Sequence, residues 1–254
     1  MTLYFIGIGL NDEKDITLKG QEILKNCDAI YLESYTSKLN CDVKALEELY
    51  GKKVILADRD LVENRPEDTI LKDAKEKKTA FLVIGDIFGA TTHTDLRLRA
   101  HKLGISTKFI HNASIMNAIS VTGLELYKFG KTTSVVFTEP GYEPQTPYDV
   151  IKKNMKHDLH TLCLLDIKTH ENRFMTINEA LRNLLNIEYN RQDKIITEDT
   201  LVIGCARIGS ENPIIKFGRI SKLIGEDFGE PLHSLIIPGK LHFIEEEVLE
   251  IFKV

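Results

Sequence analysis

Three short segments carry residue types that could handle a small ligand. Phe5-Ile6-Gly7-Ile8-Gly9-Leu10-Asn11-Asp12 is an apolar run ending in a glycine turn. It departs from the G-x-G-x-x-G dinucleotide fingerprint at Asp12, where a third glycine would allow close helix–strand contact. An acid at that point also opposes a pyrophosphate. Glu33, which ends the next apolar run, could still hold a ribose diol. The segment Gly85-Asp86-Ile87-Phe88-Gly89-Ala90-Thr91-Thr92-His93 is more suggestive. Gly85 and Gly89 let backbone approach a ligand, and Asp86 offers a pair of acceptor oxygens. One of Thr91, Thr92 and His93 is expected to cap the helix that follows. Asn112-Ala113-Ser114-Ile115-Met116-Asn117 combines a capping polar group with exposed backbone donors. Taken singly, Gly229–His233 and Pro238–Lys240 are turns around a late strand.

Other catalytic patterns fail on spacing. Gly130-Lys131-Thr132 looks like the tail of a phosphate-binding loop, but position 125, where its first glycine should stand, is Glu125. There is no G-x-S-x-G elbow and no H-E-x-x-H. His157 and His160 are three apart at a helix-to-strand junction without a third ligand nearby, which suggests a solvated junction rather than a metal site. The four cysteines, Cys27, Cys41, Cys163 and Cys205, include no C-x-x-C pair. Cys163 and Cys205 sit in apolar runs and read as small core hydrophobes.

The elements that must position the three segments alternate. Strands are expected at Leu3–Ile8, Ala29–Leu32, Lys53–Ala57, Ala80–Ile84 and Thr107–Ile110. Helical spacing fills the gaps at Ile16–Cys27, Val43–Tyr50, Glu67–Lys77 (opened by Pro66) and Thr94–Leu103. This alternation predicts a mostly parallel sheet with helices on both faces. Ligands of such sheets bind outside the C-terminal strand ends, so the loops after Ile8, Ile84 and Ile110 matter most. The second half mixes helices at Asn117–Leu126, Tyr148–Met155, Ile177–Tyr189 and Phe243–Phe252 with strands at Ser134–Phe137, Thr161–Ile167, Leu201–Cys205, Ile214–Phe217 and Ser234–Ile237. Neighbouring strands there predict a mixed sheet. The boundary is placed near Asn112, giving domains 1–112 and 113–254.

Composition narrows the classes. With 254 residues and a formal charge of −5, the chain can bury a sizeable core but lacks the positive balance of a general nucleic-acid binder. The N-terminus turns acidic at once and has no basic start, unlike a signal peptide. The longest apolar runs fall far short of the ~20 residues of a membrane span. A reduced, cytoplasmic location is expected.

Several long motifs in order give a further lead: FIGIGLND with DITLKG, YLESYTS, GDIFGATTHTDLRLRA, HNASIMNA with GLELYKFGKT, LHTLCLLDIK, and GEPLHSLIIPGKLH. Along its whole length the sequence resembles the diphthine synthases, in the tetrapyrrole-methylase-like group of S-adenosylmethionine methyltransferases. The resemblance implies two α/β domains, a parallel N-terminal sheet and a mixed C-terminal sheet, with the cofactor in the interdomain cleft, and a homodimer. It implies methylation of a 3-amino-3-carboxypropyl group on one histidine of translation elongation factor 2. It assigns S-adenosylmethionine to Leu10, Asp86, Gly89, Ser114, Ile115, Leu165, Ala206 and His233. Asp86 would take the ribose or amino-acid end, and backbone at Leu165 and Ala206 the adenine. No catalytic base is carried over. Many relatives have proline after the aspartate, where this chain has Ile87. Tyr35, Phe88 and Tyr142 are rings that could face a growing ammonium. Archaeal relatives stop at the trimethylated amine and eukaryotic ones also esterify the carboxylate. HNASIMNA and FGATTH lean to the second type, PGKLH to the first. A corrin- or porphyrin-type small-molecule methylase is the alternative. An NAD-dependent oxidoreductase, opposed by Asp12, and a non-enzymatic nucleotide-binding module stand further off.

Overall fold

The computed structural model describes all 254 residues and divides into two compact units, Met1–Ala118 and Ile119–Val254. In the first, β1 (Thr2–Gly7), α1 (Leu18–Lys25), β2 (Ala29–Glu33), α2 (Val43–Tyr50), β3 (Ile55–Ala57), α3 (Ile70–Glu76), β4 (Lys78–Val83), α4 (Thr94–Lys102), β5 (Ser106–Ile110) and α5 (Ile115–Ala118) follow in order. The five strands form one sheet, β3-β2-β4-β1-β5, and every pairing is parallel. Alternate residues feed two cores. Leu3, Phe5 and Phe81 pack with Ile70, Leu71 and Leu96, whereas Ile6, Ile8 and Leu82 pack with Leu24, Leu46 and Tyr50. Helices therefore cover both faces, which is why these strands read as continuous apolar runs.

Local signals fix the ends. Asp42 caps α2 by accepting from the Ala45 amide at 2.9 Å, and Gly51 ends it in the left-handed region, as its sequence suggests. Around Pro66 the outcome differs from one continuous helix. A single turn, Pro66–Asp68, comes first, and α3 begins only at Ile70. Thr69 interrupts: its hydroxyl bonds back to the Arg65 carbonyl at 2.8 Å while its backbone leaves helical angles.

The second unit contains β6 (Thr133–Val135), α6 (Thr146–Met155), β7 (Thr161–Leu165), a small antiparallel hairpin β8 (Ile167–Lys168) and β9 (Arg173–Phe174), α7 (Ile177–Arg191), β10 (Leu201–Ala206), β11 (Ile214–Arg219), α8 (Ile220–Leu223), β12 (His233–Ile237) and α9 (Phe243–Leu249). Its main sheet, β11-β10-β12-β7-β6, is mixed, with only β6–β7 parallel. The helix expected over Asn117–Leu126 is broken. Ile119–Thr122 tightens into a single turn, the Thr122 hydroxyl bonds the Ile119 carbonyl at 2.8 Å, and Gly123 at φ +85° reverses the chain. Cys163 and Cys205 are buried in the sheet.

Gly204 lies mid-strand in β10, where an added Cβ would fall 2.5 Å from two ring carbons of Phe228 and 3.1 Å from Ile177 Cδ1. Gly204→Ala should lower the urea-unfolding free energy by about 1–3 kcal/mol through overpacking. An unchanged midpoint would mean that Phe228 can move aside.

Candidate functional site

The loops at the C-terminal ends of β1, β4 and β5 are stitched together. Gly9 and Gly85, both at positive φ, exchange backbone hydrogen bonds of 3.3 and 2.6 Å. Asn112 Nδ2 donates to the Gly7 carbonyl at 3.0 Å and to the Asp15 carbonyl at 2.9 Å. Asp86 Oδ1 accepts from the Asn112 amide at 3.0 Å and lies 2.9 Å from His111 Nδ1. A Cβ at Gly89 would meet Ser114 Oγ at 2.8 Å, so that backbone lies directly on the β5 loop. Leu10, Asp86, Gly89, Ser114 and Ile115 thus share one rim.

Their free groups are fewer than the sequence suggests. Asp15 Oδ2 accepts from the amides of Leu10 (3.0 Å) and Asn11 (2.7 Å), so the Leu10 N–H is spent. The Ser114 amide is taken by Asn117 Oδ1 at 2.7 Å. Asp86 keeps the best ligand capacity: its Oδ2 receives only a long 3.4 Å bond from the Phe88 amide. Partial burial raises its pKa, but the Asn112 and His111 hydrogen bonds outweigh that and hold the carboxyl below its ordinary range. A charged acceptor pair beside glycine backbone suits an ammonium or a diol. Asn112 cross-links three loops, its side chain holding Gly7 and Asp15 and its amide holding Asp86, and Asp15, which opens the DITLKG motif, spends its carboxylate on the Leu10 and Asn11 amides.

Glu33 is not available to a ribose. It is fully buried and accepts from the Tyr35 amide at 2.7 Å, the Thr36 amide, and the Thr36 hydroxyl at 2.9 Å. No side chain of Thr91–His93 caps α4, whose N-cap His93 makes no such bond. Thr92 Oγ1 donates to Glu63 at 3.0 Å instead. Of the three rings considered for an ammonium, Tyr35 already faces the Arg59 guanidinium at 5.3 Å and Phe88 that of Arg97 at 5.8 Å. Tyr142 is 57% exposed.

In the second unit, Ala206 and His233 are direct cross-strand partners. Leu165 ends the adjoining strand, one residue beyond the Leu164–Ser234 pair. The three sit at one end of three adjacent strands. The His233 ring is committed: Nε2 lies 3.1 and 3.2 Å from the Gly229 and Glu230 carbonyls, and Nδ1 is 3.4 Å from the Ile177 amide. His160 corrects the solvated-junction expectation. It is fully buried, with Nε2 3.0 Å from Glu245 Oε1 and Nδ1 accepting the Gly239 amide at 3.0 Å. Both nitrogens are used, so it is no free metal ligand.

Burial lowers the pKa of His93, His160 and His233, His93 to about 4. His93 is walled by Phe81 and Tyr35, and neither ring nitrogen has a partner. Between the folded value near 4 and the ordinary 6.5, the unfolded chain binds more protons. Stability is therefore fully present above pH 6.5 and falls below it, by about 1.4 kcal/mol from His93 alone at pH 5.5. Denaturation in a pH series, with His93→Phe removing that share, checks this.

The sequence pattern of the Tetrapyrrole (Corrin/Porphyrin) Methylases matches residues 2–224. The chain is 49% identical to a diphthine methyl ester synthase of Dictyostelium discoideum over 271 residues, covering 100% of this chain and 99% of that one. It is 49% identical to a diphthine synthase of Methanococcus aeolicus over 245 residues, covering 96% and 95%. A crystal structure of a diphthine synthase superposes with a TM-score of 0.90 at 38% identity, covering 100% of this chain and 96% of that one. No helix is long and apolar enough to cross a membrane.

Proposed function

The chain belongs to the tetrapyrrole (corrin/porphyrin) methylases, among the diphthine synthases, and on that premise we propose the details of its reaction. It is an S-adenosylmethionine-dependent methyltransferase of diphthamide biosynthesis. Its acceptor is the 3-amino-3-carboxypropyl group on one histidine of elongation factor 2. The full-length 49% identity to relatives of both kinds carries this reading.

When bound, the cofactor supplies a methyl group already activated on sulfur, which leaves proximity and orientation to the chain. The residues of the first rim fit it. Asp86, held ionised, receives the ribose or the amino-acid ammonium. Gly89 lets backbone approach, and Leu10, Ser114 and Ile115 complete that rim. In the second unit, Leu165 and Ala206 offer backbone to the adenine. His233, whose ring is spent on its own loop, contributes shape rather than a proton. Each methyl added to nitrogen requires the free amine, so one proton leaves for solvent per transfer.

A homodimer in the cytoplasm completes the proposal. Exposed Tyr127, Phe243 and Ile251 in the second unit supply apolar surface for a second copy.

The test incubates the protein with S-adenosylmethionine and elongation factor 2 bearing the precursor, then counts methyl groups by mass spectrometry. Three methyls on nitrogen, or these plus an ester methyl, are the two productive outcomes. Cofactor binding with transfer only to a corrin or porphyrin would overturn the substrate, and binding of NAD instead would overturn the chemistry.

A further inference from the structure

A second polar cluster lies on the other half of the same C-terminal rim. It is built from the loops after β2, β3 and β4, neighbours in the sheet. The β4 loop is shared, running from Asp86 and Gly89 on the first rim to Thr92 and His93 here.

In the tight segment after β3, Asp60 forms an ion pair with Arg65, and Asp58 is engaged by a backbone amide alone. Asp58 Oδ1 accepts from the Leu61 amide at 2.8 Å. Asp60 accepts from Asn64 at 3.0 Å and from Arg65 at 2.6 Å. Arg59 and Glu63 form no ion pair, and both touch the same ring. The exposed Arg59 guanidinium lies over the Tyr35 ring at 5.3 Å with no carboxylate in ion-pair reach, so its N–H edge is free. Glu63 spends one oxygen: Oε1 accepts from Tyr35 Oη at 3.3 Å and Thr92 Oγ1 at 3.0 Å, and Oε2 has no donor. The base is rigid, because buried Glu33 holds the Tyr35–Thr36 turn and the His93 ring backs Tyr35 edge-on. Two opposite charges, four residues apart, both held against one ring and neither in a direct ion pair, complement a zwitterion, with the buried Glu33 carboxylate feeling the Arg59 charge from behind.

We propose that Arg59 and Glu63, positioned by Tyr35, form the binding site for the α-amino-acid end of the acceptor side chain. Arg59 takes the carboxylate through paired N–H groups, and Glu63 Oε2 takes the ammonium. The proposal rests on the acceptor assigned above and adds the residues that select it. It also has a consequence for turnover. Three methyls on nitrogen remove every N–H that Glu63 could bind, and esterification would remove the anion that Arg59 holds. The site therefore releases finished product more readily than it binds precursor.

Binding tests this apart from turnover. Calorimetry with the full chain uses 2-amino-4-imidazolylbutanoate, its carboxamide and its N-acetyl derivative as probes. The wild type should bind the free amino acid at least about 10-fold more tightly than either blocked form. Arg59→Gln should erase the preference over the carboxamide only, and Glu63→Gln the preference over the N-acetyl form only. Arg59→Lys should restore part of the first. Affinity for S-adenosylmethionine should stay within about twofold in all variants, since neither Arg59 nor Glu63 is among the residues assigned to the cofactor. With the precursor-bearing elongation factor, KM should rise about 10-fold or more in Arg59→Gln at nearly constant kcat. Equal probe affinities in wild type and variants would sink the proposal even if methyl transfer proceeds. Selective probe binding without transfer to the elongation factor would sink the acceptor assignment and leave the site standing.

Discussion

Replacing Glu245 by alanine should destabilise the second unit by about 3–5 kcal/mol, among the largest losses open to a single change in this chain. Glu245 sits in the first turn of α9 and is 1% exposed. Its two oxygens accept from the Glu125 amide at 2.9 Å, the His242 amide at 2.8 Å, His160 Nε2 at 3.0 Å, and the Lys128 ammonium. Burial alone would push the carboxyl up, but these donors reverse the sign and bring its pKa down to about 2. The depressed value means that this contribution is present above the ordinary carboxylate range and is lost as pH falls through about 2. At neutral pH the alanine variant leaves His160 fully buried with an unpaired N–H, and Lys128 without its counter-charge. Glu245→Gln keeps the shape and some of the hydrogen bonds, so its loss should be smaller, about 1–3 kcal/mol. Urea unfolding of both variants at pH 7 checks the order. A loss under about 1 kcal/mol for alanine would mean that water replaces the network.

The difference between that network and its first reading shows where sequence patterns stop. His160 stands three residues after His157 beside an apolar strand, and spacing alone suggests a wet junction. Its partner is 85 residues away, and no local period announces such a pair. The same holds for Glu33: its type and place at a strand end fit a ribose contact, but two residues later the chain turns back and consumes both oxygens. The parallel sheet was legible because burial on both faces writes itself as unbroken apolar runs. The glycine-bearing loops were legible because close backbone approach needs that residue type. Asn112 was visible as a polar loop residue, but its role depends on where Gly7 and Asp15 lie in space. Arg59 and Glu63 stood out least, since an exposed charged turn is the commonest sequence on any surface. Only their common contact with the Tyr35 ring, brought in from another loop, marks them.

Asp86 carries the second large effect. Asp86→Ala should weaken S-adenosylmethionine binding about 100-fold, roughly 2.7 kcal/mol, the scale expected when a charge-assisted partner is removed from a partly buried site. Two routes lead to that loss, and they separate experimentally. Asp86 Oδ1 also receives the Asn112 amide, so alanine could act by loosening the loop rather than by losing a contact. Asp86→Asn keeps an acceptor for that amide and removes only the charge. If Asp86 takes the amino-acid ammonium, the asparagine variant should lose most of the affinity for S-adenosylmethionine and none for methylthioadenosine, which lacks that end. If it takes the ribose, both ligands should weaken together, and by less, because an amide still accepts one hydroxyl. If the loop is the cause, asparagine should bind like wild type and Asn112→Ala should mimic Asp86→Ala. Calorimetry with the two ligands on the four proteins distinguishes these. Binding within threefold of wild type in Asp86→Ala would remove Asp86 from the cofactor site altogether.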